Sequence, residues 1–231
     1  MVNSVSFDAG KEEFTVTHHI KGQGEDFRLL GLVFDTKLLM HTAVQTLVGR
    51  ARPKTQALLK TRRFYNTWDV VIQFKTHVLC VLESATAAVY HAADGVLAPL
   101  DGVRESFLKE LGVTQEQAFL QHNLAPYSFR RDVAMLVLLH KCSLGTSHPW
   151  IQELFRLVPK KNSYYRTKLS EERHDRQLME SCAGNFLEIT RRSLFGLVRL
   201  YNFLFSTVVH LQTVKVFQGA LTNLAKRRCE Q

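Results

Sequence analysis

The spacing of apolar residues changes after the first 35 positions. Phe14 and Val16 alternate with polar neighbours, and a second apolar run covers 27–34 with Gly31 inside it. Alternation with a period of two is typical of half-buried strands, and the glycine-rich segment 21–24 predicts a turn. We expect a β-hairpin or two edge strands here, packed on the rest of the chain because an isolated hairpin is only marginally stable.

From residue 36 onward the period is helical. Apolar residues recur at intervals of four, three, four and seven, which predicts one buried helix face. These residues are Met40, Val44, Leu47, Ala51 and Leu58. Pro53 predicts either a kink in this helix or the first turn of a second one. The next segment, 68–90, is apolar on nearly all sides, which is typical of a central helix, and Thr67 and Asp69 are candidates for its N-terminal turn.

Helical patterns continue to the C-terminus. They cover 97–111, 115–123, 129–144, 151–157, 193–209 and 213–228. Gly112 and Gly145 are expected to end two of these helices, and Thr114 to cap a third. Residues 158–183 are polar and charged with little periodicity, which indicates a linker or loop. The predicted fold class is therefore mainly α, with an N-terminal β-hairpin followed by a helical bundle.

Basic residues concentrate in one segment of the chain. The formal net charge is +9, and 36–63 contains seven basic residues and no acidic one. The seven are Lys37, Arg50, Arg52, Lys54, Lys60, Arg62 and Arg63. Such an excess favours a polyanionic partner, either a nucleic acid or an anionic membrane surface.

The cysteines and histidines predict no metal site. The four cysteines are widely spaced and form no CxxC pair: Cys80, Cys142, Cys182 and Cys229. Neither His18-His19 nor His140 with Cys142 has partners at zinc-like spacing. The cysteine pattern also argues against a disulfide-rich secreted domain. With no secretory signal visible at the N-terminus, we expect a reducing compartment, nuclear or cytoplasmic.

The longest apolar stretch, 194–211, is interrupted by polar residues. It contains Arg199, Asn202 and His210. Polar and charged groups are expensive inside a bilayer. The stretch therefore predicts a buried or amphipathic helix, and we expect no membrane span.

Three motifs follow one another in the first 63 residues. Lys11-Glu-Glu-Phe14 is similar to the pattern "KTEF", and 27–35 (FRLLGLVFD) is similar to "FKYLGVxFD". Arg62-Arg63 then ends the basic helix in an Arg-rich turn. In this order they resemble the motif D strand, the primer grip and the thumb helix of LINE-type (non-long-terminal-repeat) retrotransposon reverse transcriptases.

The resemblance extends to residue 221. Later segments follow the family in order: 82–90, 100–112, 124–136 and 197–221. The first three resemble the patterns "LEY…aVY", "LDxVQxxFLRxLG" and "LAPLxxRRDIAML", and the last resembles the family's C-terminal pattern around Asn202. Ser84 and Phe205 depart from it, since the family has Tyr and Pro at these places.

The resemblance implies four parts and a set of binding residues. The parts are a palm-end hairpin at 1–35, a thumb and post-thumb helical bundle at 36–157, a polar linker at 158–190 and C-terminal helices at 191–231. Phe27, Leu30 and Gly31 would form a primer grip. The basic residues of 36–63 would contact phosphates of a template–primer duplex of RNA or DNA, and such contacts are non-specific and salt-dependent.

The catalytic aspartates of that family have no counterpart here. Two-metal polymerisation needs carboxylates that hold two Mg²⁺ ions, which the family supplies in part from an Asp-Asp pair. This chain contains no Asp-Asp pair. We therefore expect a non-catalytic fragment or degenerate copy, with no catalytic residue and no cofactor of its own. Its partners would be nucleic acid and the palm and fingers of the parent RNA-directed DNA polymerase.

Alternatives remain open at this point. Arg50 and Lys54 flank the apolar stripe of their helix, whereas Arg52 and Lys60 point elsewhere, so a solvated basic helix is one alternative. Arg130-Arg131 either binds phosphate or hydrogen-bonds the carbonyls of a loop. For the whole chain, the alternative is an inert helical interaction protein or pseudogene product with no role in nucleic-acid binding.

Overall fold

A computed structural model describes residues 2–8, 13–19, 26–29, 31–159, 174–180 and 192–230. Its strands are β1 Val2–Asp8, β2 Glu13–His19, β3 Phe27–Leu29 and β4 Leu32–Phe34. Its helices are α1 His41–Thr61, α2 Thr67–Phe74, α3 Cys80–Glu83, α4 Thr86–Val89, α5 Asp94–Leu111, α6 Gln115–Leu120, α7 Tyr127–Ser143, α8 Pro149–Leu154, α9 Leu194–Asn202, α10 Ser206–Val209 and α11 Val214–Cys229. The predicted fold class, mainly α after N-terminal β structure, is confirmed.

The N-terminal strands form two separate hairpins. β1 pairs antiparallel with β2, and β3 pairs antiparallel with β4. The apolar run 27–34 is thus a hairpin by itself and does not pair with the run before it. Gly31 explains this, because its φ of +82° lies in the left-handed region that a tight turn needs and that glycine adopts without strain. Leu32 and Phe34 pack against the helices.

Asp35 connects the second hairpin to helix α1 through two hydrogen bonds. The Asp35 carboxylate accepts hydrogen bonds from the backbone N–H groups of Leu39 (2.8 Å) and Met40 (2.6 Å). These bonds, the first of them most, hold the pKa of Asp35 below its ordinary value. All five residues of the predicted apolar stripe are buried. The helix runs unbroken through Pro53, so the alternative of a second helix beginning there is wrong.

The central apolar segment is helical but not one regular α-helix. Thr67 and Asp69 lie in the first turn of α2, as predicted, and Asn66 caps it, its side chain accepting a hydrogen bond from Asp69 N–H. A π-helical turn, Lys75–Leu79, joins α2 to α3, and the helical structure is interrupted again at Ala85. Phe74 stacks on Phe107 of α5 with ring centroids 4.0 Å apart. We call the buried side chains of α1–α6 with Leu124 and Tyr127 the first core.

Arg104 is a charged residue inside this core. Its side chain is 2% exposed. It donates to the Leu124 carbonyl from Nε (3.2 Å) and Nη2 (2.7 Å), and to the Gln115 side chain. Burial lowers the pKa of its guanidinium. The arginine thereby holds the loop between α6 and α7, because the loop's buried carbonyl needs a donor.

Helix α7 links the first core to a second one. Its first turn, with Tyr127, lies in the first core, and Val133, Leu136 and Leu139 lie in the second. The second core also contains buried residues of α9, α10 and α11 together with Phe155 and Leu178. The predicted helix 193–209 is two helices, α9 and α10, separated at 203–205.

Ion pairs and a hydrogen bond fasten the start of α7. Arg130 pairs with Glu83 of α3 through both carboxylate oxygens, and Arg131 lies 3.7 Å from Asp101 of α5. In the same turn, Asp132 accepts a hydrogen bond from the Tyr90 hydroxyl. Arg130 therefore hydrogen-bonds, and Arg131 forms an ion pair with, a side chain on a neighbouring helix, and the loop-carbonyl contact considered for them is absent from the described residues.

The described part of the predicted polar linker packs on α9. Residues 174–180 contain the buried Leu178, whose backbone N–H and carbonyl both bond the Asn202 side chain at 2.9 Å. Leu178 also forms a β-bridge with Leu157. The other residues of this segment, 160–173 and 181–191, lie outside the described residues. Asn202, a residue of the C-terminal motif, thus holds two chain segments together.

His140 sits at the centre of the second core. Its Nε2 lies 2.9 Å from the Leu211 carbonyl and must carry the proton, because a carbonyl only accepts. Nδ1 then accepts from the Tyr201 hydroxyl at 3.0 Å, and the Tyr201 oxygen lies 2.7 Å from Ser143 Oγ. The imidazole also stacks on Phe217 at 3.9 Å. The site is built for a neutral imidazole.

We expect the second core to lose stability on mild acidification. Burial lowers the pKa of His140 in the folded protein, with Arg176 adding to the effect. Above the unfolded value of about 6.5 both states are neutral; below it the unfolded state takes up a proton first, so stability falls. Urea midpoints should drop between pH 7 and pH 5. The slope should be shallower in His140→Gln, and an unchanged slope would refute the assignment.

Replacing Asn202 should destabilise the fold substantially. Asn202→Ala leaves the buried N–H and carbonyl of Leu178 unpaired, which costs about 2–4 kcal/mol in the free energy of unfolding. Asn223→Ala, at an exposed position of α11, is the matched control and should change it by less than about 0.5 kcal/mol. Chemical denaturation measures both, and equal effects would contradict the role of Asn202.

Candidate nucleic-acid interface

All seven predicted phosphate-binding residues lie on the surface. Every one of them is exposed. Lys37 precedes α1, four residues lie on the helix, and Arg62 and Arg63 belong to the 3₁₀ turn Arg62–Phe64 that follows it. From Arg50 to Lys60 the helix rises about 15 Å. A nucleic-acid strand of about that length carries roughly four or five phosphates.

The basic residues of α1 surround its exposed half. Helical geometry places Arg50 and Lys54 one turn apart on one flank of the buried stripe, Arg52 on the other flank and Lys60 opposite the stripe. The structure therefore does not bring all of them onto one face. Like charges one turn apart cost a helix about 0.2–0.5 kcal/mol, so the Arg50–Lys54 pair contributes nothing to folding.

The Arg-rich turn has specific partners. Arg62 donates to the Glu110 carbonyl at the end of α5 and lies 3.8 Å from the Glu110 carboxylate. The guanidinium of Arg63 lies 4.7 Å above the centre of the Phe64 ring. Among the described residues, Arg62 is the one member of the seven with an acidic partner. Six cations thus remain for a ligand.

Exposed aromatic residues continue this basic surface. Phe64 is 69% exposed, Tyr65 49% and Trp68 52%, and Ile72 adds an exposed aliphatic side chain one turn beyond Trp68. Trp68 is in tilted contact with the His122 ring at 5.6 Å. We call Lys60–Trp68 the basic–aromatic turn. Sequence reasoning missed its three aromatic residues, although their position directly after Arg62-Arg63 was the signal that could have indicated them.

The hairpin that resembles a primer grip lies next to α1. Phe27 stacks on Phe34 across β3 and β4, with ring centroids 5.2 Å apart, and Gly31 forms the turn. Leu32 and Phe34 pack on the first core. Leu30 lies outside the described residues. Packing on the core accounts for the contacts of Phe34, so the grip function of Phe27, Leu30 and Gly31 stays a prediction.

The described residues contain no cluster of metal-binding side chains. No three histidine, cysteine, aspartate or glutamate residues come together among them. The Mg²⁺ sites of a reverse transcriptase need grouped carboxylates, and the sequence has no Asp-Asp pair to supply them. No helix in the described part of the chain is both long and apolar enough to cross a bilayer.

Comparisons with protein families, with curated proteins and with solved structures found no match for this chain. The reverse-transcriptase resemblance therefore depends on the motifs, their order and their spacing.

Proposed function

We propose that this chain binds RNA or DNA through α1 and the basic–aromatic turn, as the non-catalytic thumb portion of a LINE-type reverse transcriptase would. One observation carries the proposal: the surface of 36–63 exposes seven cations, and only Glu110 among the described residues pairs with one of them. Unpaired cations that release counterions from phosphates supply most of non-specific nucleic-acid affinity.

The aromatic residues of the turn add a second kind of contact. Bases that leave a duplex stack on exposed aromatic rings, which contributes about 1–3 kcal/mol per base regardless of sequence. Phe64, Tyr65 and Trp68 lie beside Arg62 and Arg63, so a strand whose phosphates follow the arginines would place bases near the rings. The expected ligand is a duplex with an unpaired end, the form of a template beyond its primer.

The exposed aromatic residues also favour a second candidate. Exposed apolar patches often mark protein–protein contacts. Phe64, Trp68 and Ile72 would then cover a partner surface, such as the palm and fingers expected from the resemblance. The two functions separate by salt dependence, because phosphate contacts weaken with salt whereas apolar contacts do not.

Salt titration of nucleic-acid binding tests the proposal. Anisotropy of a labelled RNA–DNA hybrid should show log K falling with log salt at a slope of about −4, as expected for four or five phosphate contacts. The triple variant Arg50→Gln, Arg52→Gln and Lys54→Gln should reduce the slope by roughly two to three and weaken binding at least about tenfold at about 100 mM salt.

A charge-matched triple variant is the control. Lys141→Gln, Arg199→Gln and Arg227→Gln remove the same charge from exposed positions of α7, α9 and α11. This control should keep most of the affinity and the slope. Equal losses in both triple variants would mean that only net charge acts, and absence of binding by the unmodified chain would overturn the proposal.

Tryptophan fluorescence tests base stacking separately. Trp150→Phe removes the other tryptophan, which is 77% exposed on α8, and leaves Trp68 as the reporter. A hybrid with a single-stranded overhang should quench Trp68 more than a blunt hybrid, because stacked bases quench indole emission. Phe64→Ala should weaken overhang binding by about fivefold to a hundredfold, the equivalent of one stacked base. Equal quenching by both hybrids would exclude stacking at this turn.

A further inference from the structure

A cleft between α11, α7 and α3 lies apart from the proposed interface. Its volume is about 550 Å³. One wall is a polar stripe of α11 that recurs at helical spacing: Lys215, Gln218, Gly219, Thr222, Asn223 and Lys226. Lys215, Gln218 and Asn223 are exposed and Gly219, Thr222 and Lys226 are half-buried, so this wall is the polar face of an amphipathic helix. The wall is therefore accessible to solvent and available to a polar ligand.

Cations outnumber acids around the cleft. Arg130 lines it opposite Lys215 and Lys226, and Glu83 is the one acidic residue lining it in the described part of the chain. Lys75, which does not line the cleft, has a lowered pKa, first through burial and then through the charges of Arg130 and Lys226. Arg130 and Lys226 thus both disfavour the charge of Lys75, and an anion placed in the cleft would offset this repulsion.

The cations keep hydrogen-bond donors for a ligand. Lys226 gives one N–H to the Leu120 carbonyl (3.2 Å), so its ammonium retains two. Arg130 gives two of its five N–H groups to Glu83 and retains three. Lys215 is exposed and makes no hydrogen bond to a described residue. Charged donors and a planar guanidinium suit phosphate oxygens.

The dimensions of the cleft limit the ligand. Lys215 and Lys226 lie about 16 Å apart along α11, and a volume of this size matches small-molecule sites. The amide and hydroxyl side chains between them, Gln218, Thr222 and Asn223, can hydrogen-bond a sugar or the edge of a base. A single inorganic phosphate would fill only one end.

We propose that this cleft binds a phosphate-bearing ligand of nucleotide size, with Lys226 and Arg130 contacting the phosphate at one end, Lys215 contacting the sugar or base at the other, and Glu83 restraining Arg130 until the ligand arrives. The ligand is either a free nucleotide or the 5′-phosphorylated end of a strand. The site is separate from α1, so it does not depend on the function proposed above.

Calorimetric titration with AMP and with adenosine tests the proposal. AMP should bind to the full chain at millimolar concentration or tighter, and adenosine should not, because only AMP carries the phosphate. The variant Lys215→Gln with Lys226→Gln should weaken AMP binding by at least about tenfold, the equivalent of 1.4 kcal/mol. Lys215→Gln alone, which disturbs no hydrogen bond to a described residue, guards against loss of folding and should weaken binding measurably.

Glu83→Gln should strengthen AMP binding, the opposite of the lysine changes, and is therefore the sharper test. Neutralising the competing carboxylate frees Arg130, so AMP should bind more tightly by a few-fold. The control pair Lys141→Gln and Arg199→Gln should leave AMP affinity unchanged, as should the α1 triple variant. Equal affinity for AMP and adenosine, no effect of the lysine changes, or weaker AMP binding by a Glu83→Gln chain whose urea midpoint matches that of the unmodified chain would each overturn the proposal.

The source of the phosphate is decided by a further pair of probes. A short oligoribonucleotide with a 5′-phosphate is compared with the same oligonucleotide ending in a 5′-hydroxyl, both in the α1 triple variant so that the thumb surface contributes little. A preference for the phosphorylated strand over AMP assigns the cleft to a strand end. Tighter binding of AMP assigns it to a free nucleotide.

Discussion

The fold depends on the junction at the start of α7. This helix alone has residues in both hydrophobic cores among the described elements, and three successive charged residues near its start contact α3, α5 and the residue that follows α4. Arg130 reaches α3, Arg131 reaches α5, and Asp132 accepts from Tyr90 just after α4. Breaking one partner of such a half-buried pair leaves the other charge without compensation. The orientation of the second core relative to the first therefore rests on these polar contacts together with apolar packing, such as the edge-on contact of Phe129 with Phe119 of α6.

The spacing of apolar residues predicted most of the helices because each helix buries one face, and buried residues are apolar. The stripe of α1 is buried as expected, and Thr114, Gly112 and Gly145 end or begin helices where their local chemistry predicts. Breaks inside long apolar stretches could not be predicted in this way. The π-turn at 75–79 and the gap between α9 and α10 keep apolar residues on both sides, so periodicity alone carries no sign of them.

A candidate site could be predicted only where its charged residues are close together in the sequence. The cations of 36–63 stand out because no acid interrupts them, and the structure leaves them exposed. The cleft brings together Glu83, Arg130 and Lys226, which are distant along the chain, so no spacing rule could indicate it. Arg104 was also not predictable, because its role depends on a residue that is distant in the sequence. An arginine in a charged stretch reads as a surface residue, yet its buried position follows from the Leu124 carbonyl that it satisfies.

Pro53 has a consequence for motion as well as for shape. It has no N–H, so the carbonyl of Gly49 loses its helical donor midway along α1, and both residues lie on the exposed side. The same spacing recurs in α5, where Pro99 follows Gly95 by four residues, so both helices of the largest packed pair have an interrupted ladder. In amide hydrogen exchange, the two halves of α1 would open as separate units, each protected by its own contacts with the first core. A long ligand lying across both halves would then slow exchange in the two together, joining units that the chain alone leaves independent.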